Sequence, residues 1–172
     1  MDDVSGSRAD HLIPERTAGR IRGADPRDLD RIAALWIALS EHHASGDPLF
    51  ALRPDTDAEI QRLLAAILRD PDAAIFVCER AGALLGFCTV RIDRAPPIQL
   101  EVRRAEITDL LVRADERRRG VGRALVARAL AWVEARGVER CEVRVANLNA
   151  EGQRFWRSIG FGDWMDVLHR RL

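Results

Sequence analysis

Apolar residues along the chain follow two periods. Ile32, Leu35, Trp36 and Leu39 recur at the three- and four-residue spacing that places them on one side of a helix, and Ile60, Leu63, Leu64, Ile67 and Leu68 repeat the pattern. Asp25 ahead of Pro26, with acid in the first turn, starts the first helix, which ends near His42 and His43. Thr56-Asp57-Ala58-Glu59 reads as a capping box for the second, and Pro71 stops it. Between them, 44–54 holds serine, glycine and two prolines and reads as a loop whose Leu49, Phe50 and Leu52 can line a cleft. Short extended runs follow over 74–79 and 84–94, joined at Ala81-Gly82 as a hairpin, and then over 105–112 after the break at Ala95-Pro96-Pro97-Ile98. Val121, Leu125, Val126, Leu130 and Val133 mark a third helix closed by Gly137, a strand occupies 141–145, and a fourth helix over 150–159 ends at Gly160. The run 161–172 reads as a last strand with Trp164, Val167 and Leu168 as its apolar members. With a short strand at 20–22, the order is an α/β plan around one mixed sheet. Residues 1–19 lack any apolar period and read as a weakly ordered tail, leaving a single domain over 20–172.

Composition narrows the function classes. The 172 residues are 47% apolar and 31% charged, with 27 basic and 27 acidic side chains, so net charge advertises neither a nucleic-acid nor a membrane partner. No run approaches the ~20 apolar residues of a membrane span. Cys78, Cys88 and Cys141 are odd in number, far apart and embedded in apolar strand runs, which points to buried reduced thiols, no metal site and a cytoplasmic setting.

The chemistry concentrates where the strand ending Asp109-Leu110-Leu111-Val112 meets the third helix through Arg117-Arg118-Arg119-Gly120-Val121-Gly122-Arg123. Two glycines strip side chains from a helix start whose amides have no intrahelical partner, and four arginines surround it. Such a turn suits a phosphate. It lacks the Gly-x-x-x-x-Gly-Lys-Ser/Thr and Gly-x-Gly-x-x-Gly spacings of other phosphate loops. Arg117-x-x-Gly120-x-Gly122 instead resembles motif A of the GNAT (GCN5-related N-acetyltransferase) superfamily. Asn149-x-x-Gly152-x-x-Phe155-Trp156-x-x-x-Gly160-Phe161 resembles its motif B.

The resemblance implies an α+β domain with a central mixed, mostly antiparallel sheet flanked by about four helices, and acetyl-CoA as co-substrate without a metal. It implies that the backbone of Leu110, Leu111 and Val112 meets the pantetheine arm, that Arg117, Arg118, Arg119, Gly120, Val121, Gly122 and Arg123 seat the pyrophosphate, and that Asn149 and Trp156 contact the cofactor. The alternatives are a helix cap for Asn149, a role that can hold together with that contact, and core packing for Trp156. Trp156 stands where many members carry the tyrosine that protonates the departing thiolate; the chain has no tyrosine, so that acid is excluded. A lysine-like amine is only about one part in a thousand neutral near pH 7.4, so some group must accept its proton. Glu106 is the first candidate, at the position of the general-base glutamate of the histone acetyltransferases; its alternative is a plain strand carboxylate. Asp109, His42 and His43 are weaker candidates. Arg144 occupies the strand-five position where the family often has glutamate. The reading is transfer of acetyl to a primary amine of an unidentified small-molecule or peptide acceptor by direct attack in a ternary complex, with the acceptor pocket drawn from 42–52, helix two and 96–100. A homodimer is common in the family. The alternative is a non-catalytic acyl-CoA sensor.

Overall fold

The computed structural model describes residues 19–170; the tail expected at 1–19 lies, but for Gly19, outside the described residues. Five strands form one sheet in the order β1 (Arg20–Gly23), β2 (Ala73–Arg80), β3 (Ala83–Arg94), β4 (Arg103–Val112) and β5 (Cys141–Val143). The first three pairings are antiparallel and β4 with β5 is parallel. β2 and β3 read as continuous apolar runs because both of their faces are covered.

One face packs α1 (Leu29–Gly46) and α2 (Asp57–Arg69), through Ile32, Leu39, Ile60 and Leu64, onto Ile75, Val77, Phe87 and Leu111. The other packs α3 (Val121–Glu134) and α4 (Ala150–Ser158), through Leu125, Val126, Val133 and Trp156, onto Phe76, Cys88, Val90 and Ile107. Asp25 caps a 3-10 turn, Pro26–Asp28, that leads into α1; the Asp25 carboxylate accepts from the Arg27 amide and Asp28 answers to the Asp25 amide. Asp28 is fully buried and accepts further bonds from Arg22 and Arg31, which pin the end of β1 to the start of α1. Those guanidiniums hold its carboxyl well below the usual carboxylate range. The capping box expected at Thr56 does not form, since the Thr56 side chain makes no bond to the helix start.

The strand expected over 161–172 is absent among the described residues. Trp164, Met165, Val167 and Leu168 are exposed instead. Their order has apolar character without a two-residue alternation, so no register buries them on one face, and a strand without a partner leaves its amides unpaired. The guanidinium of Arg140 lies over the Trp164 ring, at 5.2 Å.

Candidate active site

The site begins with a parting of strands. β4 and β5 stay in register only through Ala105, Glu106 and Ile107, against Cys141, Glu142 and Val143. A bulge on β4 falls between Ile107 and Asp109, where the pairing to β3 skips Thr108, and β4 runs on to Val112 after β5 has ended. The last residues of β4 therefore have an unpaired edge. Which groups face it follows from alternation: the Arg113 amide donates to Leu85 O of β3 at 2.9 Å, so Leu111 also turns its backbone to β3, and the N–H and C=O of Leu110 and Val112 point into the opening. The Leu111 expectation is corrected accordingly: its peptide groups are spent on the sheet and its side chain is buried under α1.

Below the opening lies the arginine-rich turn. A 3-10 turn, Ala114–Glu116, leads to Arg118, which holds a left-handed φ of 59°, and to Gly120 at φ 84°. The first amide to donate within α3 is that of Ala124, to Gly120 O at 3.0 Å, so the amides of Gly120 through Arg123 stand at the helix end without intrahelical partners. Val121 contributes only its backbone, because its side chain is buried in the core. Gly122 has a packing duty as well: a Cβ there would stand 3.4 Å from the Phe155 ring and 3.5 Å from Val112 Cγ2. Arg117 reaches across the opening, donating from Nε to Val112 O at 3.3 Å and pairing with Glu151 of α4 at 3.5 Å. It therefore latches the two lips together, leaving Arg118, Arg119 and Arg123 as the outward cations. A pocket of about 290 Å³ opens here between Leu35, Ala38 and His42 of α1 and Leu111, Val112 and Arg117.

Across the opening, α4 is capped by Asn149, whose side-chain Oδ1 accepts from the Gly152 amide at 2.8 Å. Its side-chain amide is so close that a Cβ on residue 152 would stand 2.7 Å from Asn149 Nδ2, which gives the glycine at this position a physical reason. Asn149 is thus a helix cap with its N–H donors still available. Of the two placements open to Trp156, the cofactor or the core, its packing is that of the core: it is buried and lies edge-on against Phe155 and Phe161, with ring centroids at 5.2 and 5.0 Å. It belongs to the core, and Phe155 is the aromatic that meets the opening.

On the α1 face of β4 the two carboxylates differ. Glu106 is buried and gripped from both sides, by Arg91 at 2.7 Å and Arg144 at 3.2 Å. Both oxygens are engaged in ion pairs, a geometry suited to fixing the strand ends together. Arg144, in place of the family's glutamate, is what completes this clamp. Among the described residues no cation is bonded to Asp109: its oxygens accept from Trp36 Nε1 at 3.0 Å and from the Thr108 hydroxyl at 2.8 Å. Burial pushes its carboxyl above the usual range, while those two bonds and the nearby His43 pull it back. His43 is itself shifted down, first by burial and then by His42, and its ring lies 5.2 Å from that of Phe50. The Trp36 bond was invisible in the sequence; the one signal was an acid inside the apolar run Ile107-Thr108-Asp109-Leu110-Leu111. A groove of about 350 Å³ on the far side of α1 joins Ile37 and Glu41 to Leu52, Arg53 and Asp57, so 42–52 and α2 do meet, whereas Ile98 and Leu100 stand exposed and do not line it.

The thiols take no part. Burial raises Cys78 and Cys88, and pushes Cys141 up to about 12, so all three are protonated at neutral pH.

Known proteins share this fold. The solved structure of a Bacillus halodurans protein superposes with a TM-score of 0.79 at 19% identity, covering 89% of this chain and 99% of that one. A "predicted acetyltransferase" of Clostridium acetobutylicum, solved with acetyl-CoA, gives a TM-score of 0.72 at 17% identity over 88% and 95%. By sequence, the mycothiol acetyltransferase of Thermobispora bispora is 31% identical over 92% of this chain and 52% of its own length. An uncharacterized N-acetyltransferase of Methanocaldococcus jannaschii is 36% identical over 59% of this chain and 47% of its own. The chain thus spans about half the length of these relatives. The family model of the acetyltransferase (GNAT) family matches residues 36–161, most of the chain, and with the two motifs seated on either lip of the opening, the protein belongs to the GNAT acetyltransferase family.

Proposed function

We propose that the chain moves an acetyl group from acetyl-CoA to a primary amine by direct attack in a ternary complex. The observation that carries this is the parting of β4 from β5 after Ile107 and Val143, which leaves the Leu110 and Val112 amides open directly above the helix end at Gly120. The pantetheine arm would add to the edge of β4 as a further strand does, and the diphosphate would sit on the amides of Gly120 to Arg123, with Arg118, Arg119 and Arg123 supplying charge. Asn149 contributes a donor from the α4 side.

The amine approaches from the α1 face, where Asp109 lies on the strand that holds the thioester. Its carboxylate accepts the proton that the ammonium or the tetrahedral adduct must lose. Glu106 is assigned to structure, because it is committed to Arg91 and Arg144. A backbone amide at the end of β4 polarises the thioester carbonyl, and the departing thiolate, with a reference pKa near 8.5, leaves without an acid. The catalytic work is mostly proximity and orientation.

The test is release of free thiol from acetyl-CoA in the presence of an amine panel of aminoglycosides, short peptides and polyamines. Amine-dependent thiol release supports the transferase. Tight CoA binding with no turnover on any amine would instead select the sensor.

A further inference from the structure

Glu116 is the member of the anion turn to which the cofactor assignment gives no task. It ends the 3-10 turn Ala114–Glu116 directly before Arg117, yet its side chain is only 6% exposed. Arg80, at the end of β2, donates to one carboxylate oxygen. The other oxygen, Oε2, is buried with no hydrogen-bond partner among the described residues, and the guanidinium of Arg119 stands 3.6 Å from it. A buried carboxylate with an unused oxygen weakens a fold, and beside a diphosphate seat it also repels the ligand. Its two arginines answer both problems. Arg80 neutralises the charge and ties the turn to the β2–β3 hairpin, to which the Arg113 amide is bound as well. Arg119, 59% exposed, would otherwise lose much rotamer freedom on meeting a phosphate. At 3.6 Å the carboxylate attracts the guanidinium without occupying its N–H groups, so orientation is gained and the donors remain free for a ligand.

We propose that Glu116 is a positioning residue for the CoA diphosphate: it locks the turn to β2 through Arg80 and holds Arg119 oriented before the cofactor arrives. The inference rests on the assignment of residues 117–123 to the diphosphate. Calorimetric titration of wild type and Glu116→Gln with CoA, and with acetyl-pantetheine, which has no diphosphate, separates the possibilities. The variant should bind CoA roughly three- to tenfold more weakly, the cost of one newly immobilised side chain, and acetyl-pantetheine as wild type does. Glu116→Gln should cost less on top of Arg119→Gln than it does in wild type, because no guanidinium then remains at 119 to orient. Glu116→Asp keeps the buried charge but withdraws it from Arg119, and it must show the same selective loss; if Glu116→Gln fails to fold, this variant decides. Unchanged CoA affinity, or equal weakening toward both donors as a general structural defect would give, overturns the proposal. A wild-type protein that binds CoA no better than acetyl-pantetheine overturns the diphosphate assignment itself, and Glu116's role with it.

Discussion

Asp109→Asn isolates the proton acceptor with little change of shape. Asparagine keeps the volume, its carbonyl oxygen can still accept from Trp36 Nε1, and its amide can donate to the Thr108 hydroxyl that now donates to Asp109. Only the ability to take a proton is removed. A positioned base contributes about 10²–10⁴-fold, so kcat/KM at neutral pH should fall by that factor, equivalent to roughly 2.7–5.5 kcal/mol of barrier. The gap should narrow as pH approaches the acceptor's own pKa, where neutral amine no longer has to be generated. Stability gives an independent reading. Because burial raises the Asp109 carboxyl in the folded protein, its favourable contribution is complete below the unfolded value of about 3.9 and is lost as pH rises through the folded value. At neutral pH the ionised form costs stability, so the variant should melt higher than wild type near pH 7 and no higher near pH 3. Thiol-release kinetics across pH, with thermal melts at both ends, measure both effects. A kcat/KM within about threefold of wild type from roughly pH 6.5 to 8.5 would refute the assignment and pass the role to His43 or water.

Glu106→Gln should behave in the opposite way, costing about 1.5–3 kcal/mol in denaturant unfolding by loosening Arg91 and Arg144 while kcat stays near wild type; a kcat loss equal to that of Asp109→Asn would return Glu106 to the chemistry. Gly152→Ala alone should gain nothing, since its Cβ would displace the Asn149 cap, worth about 1 kcal/mol. In an Asn149→Ala background the same change should stabilise by up to about 1 kcal/mol through helix propensity, so an additive double-mutant cycle would dismiss the contact. Asp28→Asn should destabilise by about 1.5–3 kcal/mol at neutral pH, because Arg22 and Arg31 lose a charged acceptor and keep only Glu79 and the Gly82 carbonyl. As the folded carboxyl is depressed, that contribution is present above about pH 3.9 and disappears as pH falls below it, so wild type and variant should converge in acid unfolding.

Much of this protein is written locally. The stripes Ile32 to Leu39 and Ile60 to Leu68, the apolar runs of β2 to β4 and the glycines at 120 and 122 dictate elements through short-range periodicity and backbone sterics, and the sequence alone sufficed to place the anion turn at the junction of β4 and α3. Composition misled where period was missing: the run 161–172, with Trp164, Val167 and Leu168 as its apolar members, reads as a strand, yet a strand exists only with a partner edge and a register. What tertiary structure decided is which charges are spoken for. Glu106 and Asp109 lie three residues apart on one strand and look alike in sequence. A bulge at Thr108, two arginines arriving from β3 and from just past β5, and a tryptophan from α1 make one a clamp and leave the other free of a bonded cation. Arg117 and Glu116, adjacent in the chain, divide in the same way into a latch on Val112 and a buried partner of Arg80. Spacing along a chain fixes which face a side chain occupies, but partners distant in sequence set its ionisation and its freedom, and only the folded chain brings them together.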